Sequence, residues 1–414
     1  MSMRPPFTRP SLAIIGLAVC AVLAGCGNKE EAKPVPATPD AANETPALSI
    51  PLQRDGHWIV AAQDTDHKSH RVLLDTGASF NVLENQGSLA AAPLTADAEA
   101  ALLRQGVLTS PVADADVTID TTSDPRQLKL GLTPALTVQG WSMPAGALAL
   151  RGGMGRIASA GDASFDGIIG TDMMRSLTWR ADYVAGRLTA YQKEAPSHDW
   201  QQCTFMALDA RTRVPFVELG FGDSATFVVL DTGYDGEVML PQEPFDNLAK
   251  SHAFLQTGTT PTIGMANRVV ERRQGLLAGL SIGQKPLPKL VVAEATTDAR
   301  IGMGLLEKMD RFELDFRHYR FCFDLPSTPR DSALAAPRSA LLRSGDTYEI
   351  VTLAPGDRMA RSGGQPGDKI AMVDQTSVAT LDLARVTELL GAATTTQVTV
   401  QRGRRTLVLK LKPV

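Results

Sequence analysis

Apolar residues in this chain come in short runs broken by glycine, proline and small polar clusters, a pattern of short strands and tight turns rather than long helices. Ile50-Pro51-Leu52 and Trp58-Ile59-Val60 bracket the polar triplet Arg54-Asp55-Gly56, which predicts a hairpin, and a further strand runs from Arg71 to Leu74. Thr178-Trp179-Arg180-Ala181-Asp182-Tyr183 with Gly186-Arg187-Leu188 predicts a second hairpin, and Phe312-Glu313-Leu314-Asp315-Phe316 with Tyr319-Arg320-Phe321 a third of the same design. Alternation is clean in Pro215-Phe216-Val217-Glu218-Leu219, followed by the turn Gly222-Asp223 and the run Phe227 to Leu230. Beyond it, alternating strands are expected near Leu277 to Ile282 and at Leu290-Val291-Val292. The interval 84–163 is less regular: Ala91 to Leu103 has helical composition, Val117 to Asp120 and Leu128 to Leu130 read as strands around an Asp124-Pro125 turn, and Gly152 to Gly155 reads as a loop. The expected fold class is mainly β.

One stretch occurs twice. Val72-Leu73-Leu74-Asp75-Thr76-Gly77-Ala78-Ser79 is echoed by Val228-Val229-Leu230-Asp231-Thr232-Gly233-Tyr234-Asp235: an apolar run, Asp-Thr-Gly, a polar bridge and an apolar close. A lone Asp-Thr-Gly arises by chance in roughly one chain of this length in ten, but two copies, each at the end of a β-type run, point to duplication. Each copy is followed by a second echo, Phe165-Asp166-Gly167-Ile168-Ile169-Gly170 and Ala299-Arg300-Ile301-Gly302-Met303-Gly304.

Length allows two to three domains, and a net charge of −4 with no basic tract argues against nucleic acid as a partner. The six histidines show no paired metal-ligand spacing, and no Gly-x-Ser-x-Gly elbow supports a serine hydrolase. Asp162, Asp166, Asp172 and Asp235 read as turn or cap residues, and Gly302-x-Gly304 is weak as a nucleotide loop. At the N-terminus, Arg4 and Arg9 precede an apolar run from Leu12 to Leu23 that is too short to span a bilayer, which reads as a targeting segment. A Lys/Glu then Pro/Ala/Thr-rich stretch to about Ala47 reads as a tether. A Ser/Pro/Ala-rich linker from Pro326 separates off a last unit with a strand at Tyr348 to Leu353, a Pro366-Gly367-Asp368 turn into Lys369 to Val373, an amphipathic helix from Leu381 to Leu390, and a hairpin around Gly403. Cys203 and Cys322 flank the second repeat and are either a disulfide or two buried thiols.

The paired triplets and their apolar-apolar-Gly segments resemble the aspartic proteases, and the lobe spacing with Asp235-Gly236 resembles the bacterial retropepsin-like members more than pepsin. The resemblance covers about residues 47 to 325. It implies a bilobal β fold, with Asp75 and Asp231 as a catalytic dyad that activates water without cofactor or metal. It implies that Thr76 and Thr232 lend hydroxyls to the opposing loop, that Gly77 and Gly233 permit the tight approach, and that an extended polypeptide lies in the cleft. Pepsin-type flaps carry a Tyr, yet none occurs here between Asp75 and Asp182, which leaves the flap unassigned in the first lobe; a candidate in the second is Ile263 to Asn267. Pepsins also place Ser or Thr after the triplet where this chain has Ala78 and Tyr234, which predicts a dyad less acidic than pepsin's and activity nearer neutral pH. Ser79 stands as a candidate hydrogen-bond donor to the dyad or as an ordinary loop residue.

Leu23-Ala24-Gly25-Cys26 resembles the lipobox of bacterial lipoproteins, implying cleavage before Cys26, lipidation there, and anchoring on the periplasmic side, at the outer membrane's inner leaflet since Gly27 follows; an ordinary secretory signal is the alternative. The last unit resembles the circularly permuted PDZ domains of periplasmic proteases, without a clear carboxylate-binding loop before Tyr348, where only Leu341-Leu342-Arg343-Ser344-Gly345 stands. The expected organisation is therefore a signal over 1–25, a tether over 26–47, protease lobes over 48–195 and 196–325, a linker over 326–339, and a small α/β PDZ-like domain over 340–414. The expected function is an aspartic endopeptidase, monomeric because one chain carries both triplets, touching the membrane only through its lipid, with a further peptide or protein partner for the PDZ-like unit. The alternative is a non-catalytic, periplasmic polypeptide-binding scaffold that retains the protease fold.

Overall fold

The computed structural model describes residues 45–54, 56–83, 89–104, 116–119, 126–143, 145–151, 165–210, 212–263, 269–295, 298–334, 339–354, 356–381 and 383–412. The signal, Cys26 and most of the tether lie outside these residues, as do the expected Asp124-Pro125 turn, Gly152 to Gly155, Asp162 and residues 264–267 of the candidate flap. The chain is mainly β; its described residues form four sheets, and none of its described helices is long and apolar enough to cross a membrane.

Two ten-stranded sheets repeat one topology. In the first, the central order is Ile59–Gln63, Ser69–Leu74, Gly167–Ile169, Asn81–Leu83, Leu148–Arg151 and Arg126–Leu132. In the second it is Pro215–Phe221, Ser224–Asp231, Arg300–Gly302, Val238–Pro241, Leu290–Ala295 and Val269–Leu277. Strand senses agree as well. Ser69–Leu74 runs parallel to Gly167–Ile169, and Asn81–Leu83 parallel to Leu148–Arg151; their counterparts in the second sheet do the same. Such parallel pairs between strands distant in sequence bury both faces, which explains the continuous apolar runs Val72-Leu73-Leu74 and Val228-Val229-Leu230.

A six-stranded sheet joins the two halves. The strands Thr178–Asp182 and Arg311–Asp315 pair antiparallel from Thr178↔Asp315 to Asp182↔Arg311. Trp58 stacks on Phe312 with centroids 5.5 Å apart and lies 6.3 Å from Trp179, so aromatic rings from both halves form one continuous core. On the other face Arg180 Nε donates to Glu313 Oε2 across the seam at 2.9 Å. Gln202–Phe205 lies beside Arg320–Asp324 in the same sheet, with Cys203 opposite Cys322, and a disulfide joins them.

Two expectations need correction. The hairpin across Arg54 to Gly56 does not form: Leu48–Pro51 pairs with Arg187–Tyr191 in the joining sheet, while Ile59–Gln63 pairs with Ser69–Leu74. Arg54 holds the intervening turn against the second half, donating to the carbonyls of Glu307 and Met309. The expected strand from Leu277 to Ile282 is two strands with different partners, broken at Gly279, whose φ of +84° an ordinary residue would strain to adopt. Leu341 to Ser344 belong to a strand, Ala340–Ser344, turned by Gly345 into Thr347–Thr352.

That strand is one edge of the last sheet, whose order continues through Thr347–Thr352, Lys369–Val373, Gln397–Arg402 and Arg405–Lys410. The unit has its own core of Tyr348, Ile350, Ile370, Val386, Val398 and Val400, covered by the helix Leu383–Gly391. A short helix that the sequence pattern did not predict, Arg358–Arg361, is capped by Asp357, which accepts from Met359 N at 2.7 Å. The first part of the linker is docked rather than free. Arg330 bonds Asp310, Asp331 pairs with Lys289, and Ser332 Oγ donates to Glu237 Oε1 at 2.6 Å.

Candidate active site

Each Asp-Thr-Gly sits where a parallel central strand ends and the chain must turn. The carboxylates bond their own loops, as short acidic side chains at turns do. Asp75 Oδ1 accepts from Gly77 N at 2.8 Å and Ala78 N at 3.1 Å, and Asp231 Oδ1 accepts from Gly233 N at 3.0 Å. Ser79 contributes only its carbonyl among the described contacts, accepting from Asp172 N.

The threonines knit the two loops together reciprocally. Thr76 Oγ1 donates to Leu230 O at 2.5 Å and accepts from Thr232 N at 3.0 Å; Thr232 Oγ1 donates to Leu74 O at 2.8 Å and accepts from Thr76 N at 3.0 Å. Both threonines are fully buried, so these four bonds satisfy groups that water cannot reach. The glycines are crossed in the same way. A Cβ at Gly77 would fall 2.4 Å from Asp231 Cγ, and one at Gly233 would fall 2.3 Å from Asp75 Cγ. Each loop therefore lacks a side chain where the other loop's carboxylate lies.

The two apolar-Gly segments brace the loops from behind. Asp75 N donates to Ile169 O, Gly170 N to Asn81 Oδ1 at 3.0 Å, and Thr171 N to Ala78 O. In the second half Gly302 N donates to Glu237 O and Met303 N to Tyr234 O. A Cβ on Gly170 or Gly302 would strike the carbonyls of Ala78 and Tyr234 at 2.6 and 2.3 Å, which is why the segments end in glycine.

Asp75 and Asp231 share a side-chain hydrogen bond, and the Asp75 carboxyl is pushed up to about 8. Burial is the largest cause, followed by the charge of Asp231; the amides of Gly77 and Ala78 oppose them. Asp75 therefore keeps its proton into the neutral range. No group of His, Cys, Asp and Glu suited to a metal occurs among the described residues.

The two halves differ in one row of side chains on the face from which the carboxylates project. Across the first sheet the partnered residues are Ile59, Leu73, Ile168, Val82, Leu150 and Leu130, all apolar. The matching row of the second sheet reads Phe216, Val229, Arg300, Met239, Ala293 and Gln274. Arg300 thus occupies the place of Ile168, and its Nη1 contacts Asp231 Oδ2 at 2.8 Å. Two residues along from Gln274 lies Arg272, also buried. No protein-family model and no curated protein matches this chain.

The structure brings the two aspartates, threonines and glycines singled out in the sequence to one crossing, and adds Arg300, which sequence reasoning missed. The signal was present: when the two apolar-Gly segments are aligned on their glycines, a cation falls opposite Ile168 inside an otherwise apolar strand.

Proposed function

We propose that the chain is an aspartic-type endopeptidase with a bilobal fold, in which Asp75 and Asp231 activate a water molecule against the carbonyl of an extended polypeptide. The observation that carries this reading is the reciprocal crossing of the two Asp-Thr-Gly loops, which sets two carboxyls in hydrogen-bond contact on a near-symmetric frame. Two carboxyls at that separation share a proton, as in the aspartic-protease dyad that serves as the standard case of such coupling. The ionised member takes a proton from water as the oxygen attacks the carbonyl carbon. The protonated member gives its proton to the carbonyl oxygen, forming a gem-diol. On collapse the C–N bond breaks, the nitrogen leaves with the proton taken from water, and a diol proton returns to the carboxyl that donated one. The products are a carboxylic acid and an amine, and both aspartates are regenerated. The raised Asp75 carboxyl favours operation near neutral pH.

The C-terminal unit is proposed to be a PDZ-like module whose outer strand, Ala340–Ser344, offers backbone groups for strand addition by a peptide partner. The proposed setting is the periplasm, with attachment through lipid on Cys26; replacing Cys26 with Ser should move the protein out of the membrane fraction, and an unchanged distribution would remove the anchor.

The deciding experiment is cleavage of an unfolded protein mixture by the chain starting after Cys26, at several pH values, with and without a statine-type inhibitor. Cleavage that is blocked by the inhibitor and lost in Asp75→Ala and Asp231→Ala supports the peptidase. A second reading, a non-catalytic scaffold that binds extended polypeptide, is favoured by Arg300, which takes up one carboxylate oxygen of Asp231. Folded protein that binds but never cleaves would select it.

A further inference from the structure

Resting on the peptidase reading, we infer that Arg300 is a positioning residue that makes the dyad asymmetric: it holds the negative charge on Asp231, so that Asp231 takes the proton from water and Asp75 donates to the substrate carbonyl. The crossed threonine bonds alone do not choose between the two carboxyls. Each loop is braced by the other threonine, and each aspartate has a backbone amide on its Oδ1, Asp75 having a second from Ala78 N at 3.1 Å. The larger break in symmetry is at the other oxygen, where a full charge stands. Asp231 Oδ2 meets the Arg300 guanidinium at 2.8 Å, whereas the corresponding strand position beside Asp75 is Ile168, packed among Leu73, Val82, Leu150 and Phe165. A guanidinium cannot lose its proton in this setting and is a fixed positive charge. The Ile168 position offers Asp75 no such charge, and burial pushes its carboxyl up.

The groups facing Asp231 from every side are consistent with this assignment. Asp75 faces it from the opposite loop, and Arg300 from the adjoining strand. Tyr234 and Asp235 lie on its own loop, and the charge of Arg272 reaches Tyr234 from the hairpin arm Val269–Leu277. The Tyr234 hydroxyl is raised by burial and stays neutral. Glu237 is engaged elsewhere, by Val291 N, Ser332 and Lys308. Arg300 remains protonated throughout the reaction and exchanges nothing with the substrate. Its part is to place the charge.

The test compares wild type, Arg300→Met, Arg300→Lys and Ile168→Met in the chain starting after Cys26. Activity on an unstructured polypeptide is followed across the pH range. Separately, the carboxyl-carbon chemical shifts of the dyad are titrated in the folded protein. Losing an adjacent cation raises a carboxylate's titration by about 1–2 pH units, so the acid limb of kcat/KM should move up by that much in Arg300→Met, with the loss approaching about 10- to 100-fold on the acid side of the wild-type limb and fading on its neutral side. Arg300→Lys should restore most of the limb, and Ile168→Met should leave it in place. A superimposable pH profile in Arg300→Met, or a loss equal at all pH values, overturns the inference. Where Arg300→Met does not fold, Arg300→Gln, which keeps a hydrogen-bond donor without the charge, must show the same shift. If the wild type never cleaves, the peptidase reading fails, yet the carboxyl titration still decides Arg300: an upward shift of the first dyad titration in the variant sustains its role, and an unchanged one removes it.

Discussion

The first and second halves share a strand order, a loop sequence and a set of crossed hydrogen bonds, yet their matching rows of side chains have diverged. One runs through Ile168 and Leu130, the other through Arg300 and Gln274 at the same places. What has been kept is what each half needs from the other: a hydroxyl for a carbonyl, an absent Cβ for a carboxylate. What has drifted is what each half does alone. The comparison separates two layers, a frame that must be symmetric because its bonds are reciprocal, and a wall that is free to be asymmetric because its contacts stay within one half.

The largest expected effect tests whether the halves are equal partners in chemistry. Asp75→Asn and Asp231→Asn should each reduce kcat by at least about 10³-fold, as losses in machinery acting as a unit do. A variant of one half that retains substantial turnover would break the equivalence. Next in size are Thr76→Val and Thr232→Val. Each removes a buried hydroxyl that donates once and accepts once, leaving a carbonyl and an amide without partners, and should destabilise the protein by about 2–4 kcal/mol in urea unfolding. The two values should agree within about 0.5 kcal/mol, since the bonds are mirror copies; a one-sided effect would show that a single loop carries the junction.

A smaller effect sharpens the asymmetry. The Asp75 carboxyl titrates near 8 in the folded chain and near its ordinary 3.8 when unfolded. Between those values the folded state binds the extra proton, so stability conferred by protonation is full below the unfolded value and declines as pH rises toward 8. Asp75→Asn, which needs no proton, should therefore gain on wild type as pH rises from about 4 to about 8, a gain of a few degrees in Tm by the upper end. A melting-temperature difference that stays flat over that range would mean Asp75 is ionised in the folded state. Smallest of all, Ile168→Met should change neither Tm nor kcat/KM by more than a volume-conserving core swap does, under about 1.5 kcal/mol.

The frame was legible in the sequence and the wall was not, for physical reasons. Asp75-Thr76-Gly77 and its copy are constrained at every atom: a Cβ would collide, a missing hydroxyl would orphan a buried carbonyl, and such constraints fix residue identity. The central strands and the closing hairpins at 178–191 and 311–324 were readable because alternation and turn residues are local. The hairpin expected at Arg54 to Gly56 failed because Leu48–Pro51 finds its partner well over a hundred residues away, and a turn-like triplet does not say which strand its neighbours will choose. The arm Gln256–Ile263 is polar along most of its length and was invisible to a search for apolar runs, since its order comes from pairing with Val269–Leu277. Arg300 was hidden for another reason. Its meaning lies in the register between strands, where Arg300 stands beside Val229 and Met239, two residues along its own strand from Asp231's partner Gly302.

The crossed threonines carry one more consequence. A single copy of this half would leave its loop hydroxyl and amide seeking a partner that the other half supplies, and an exactly symmetric pair of identical halves would satisfy them equally well. In such a pair any residue at the Ile168 position appears twice, and an arginine there would face both carboxyls alike, distinguishing neither. Joining two copies into one chain releases that position from its twin. A difference between the two acids is thus open to two joined halves and closed to an exact pair, and Arg300 opposite Ile168 is such a difference.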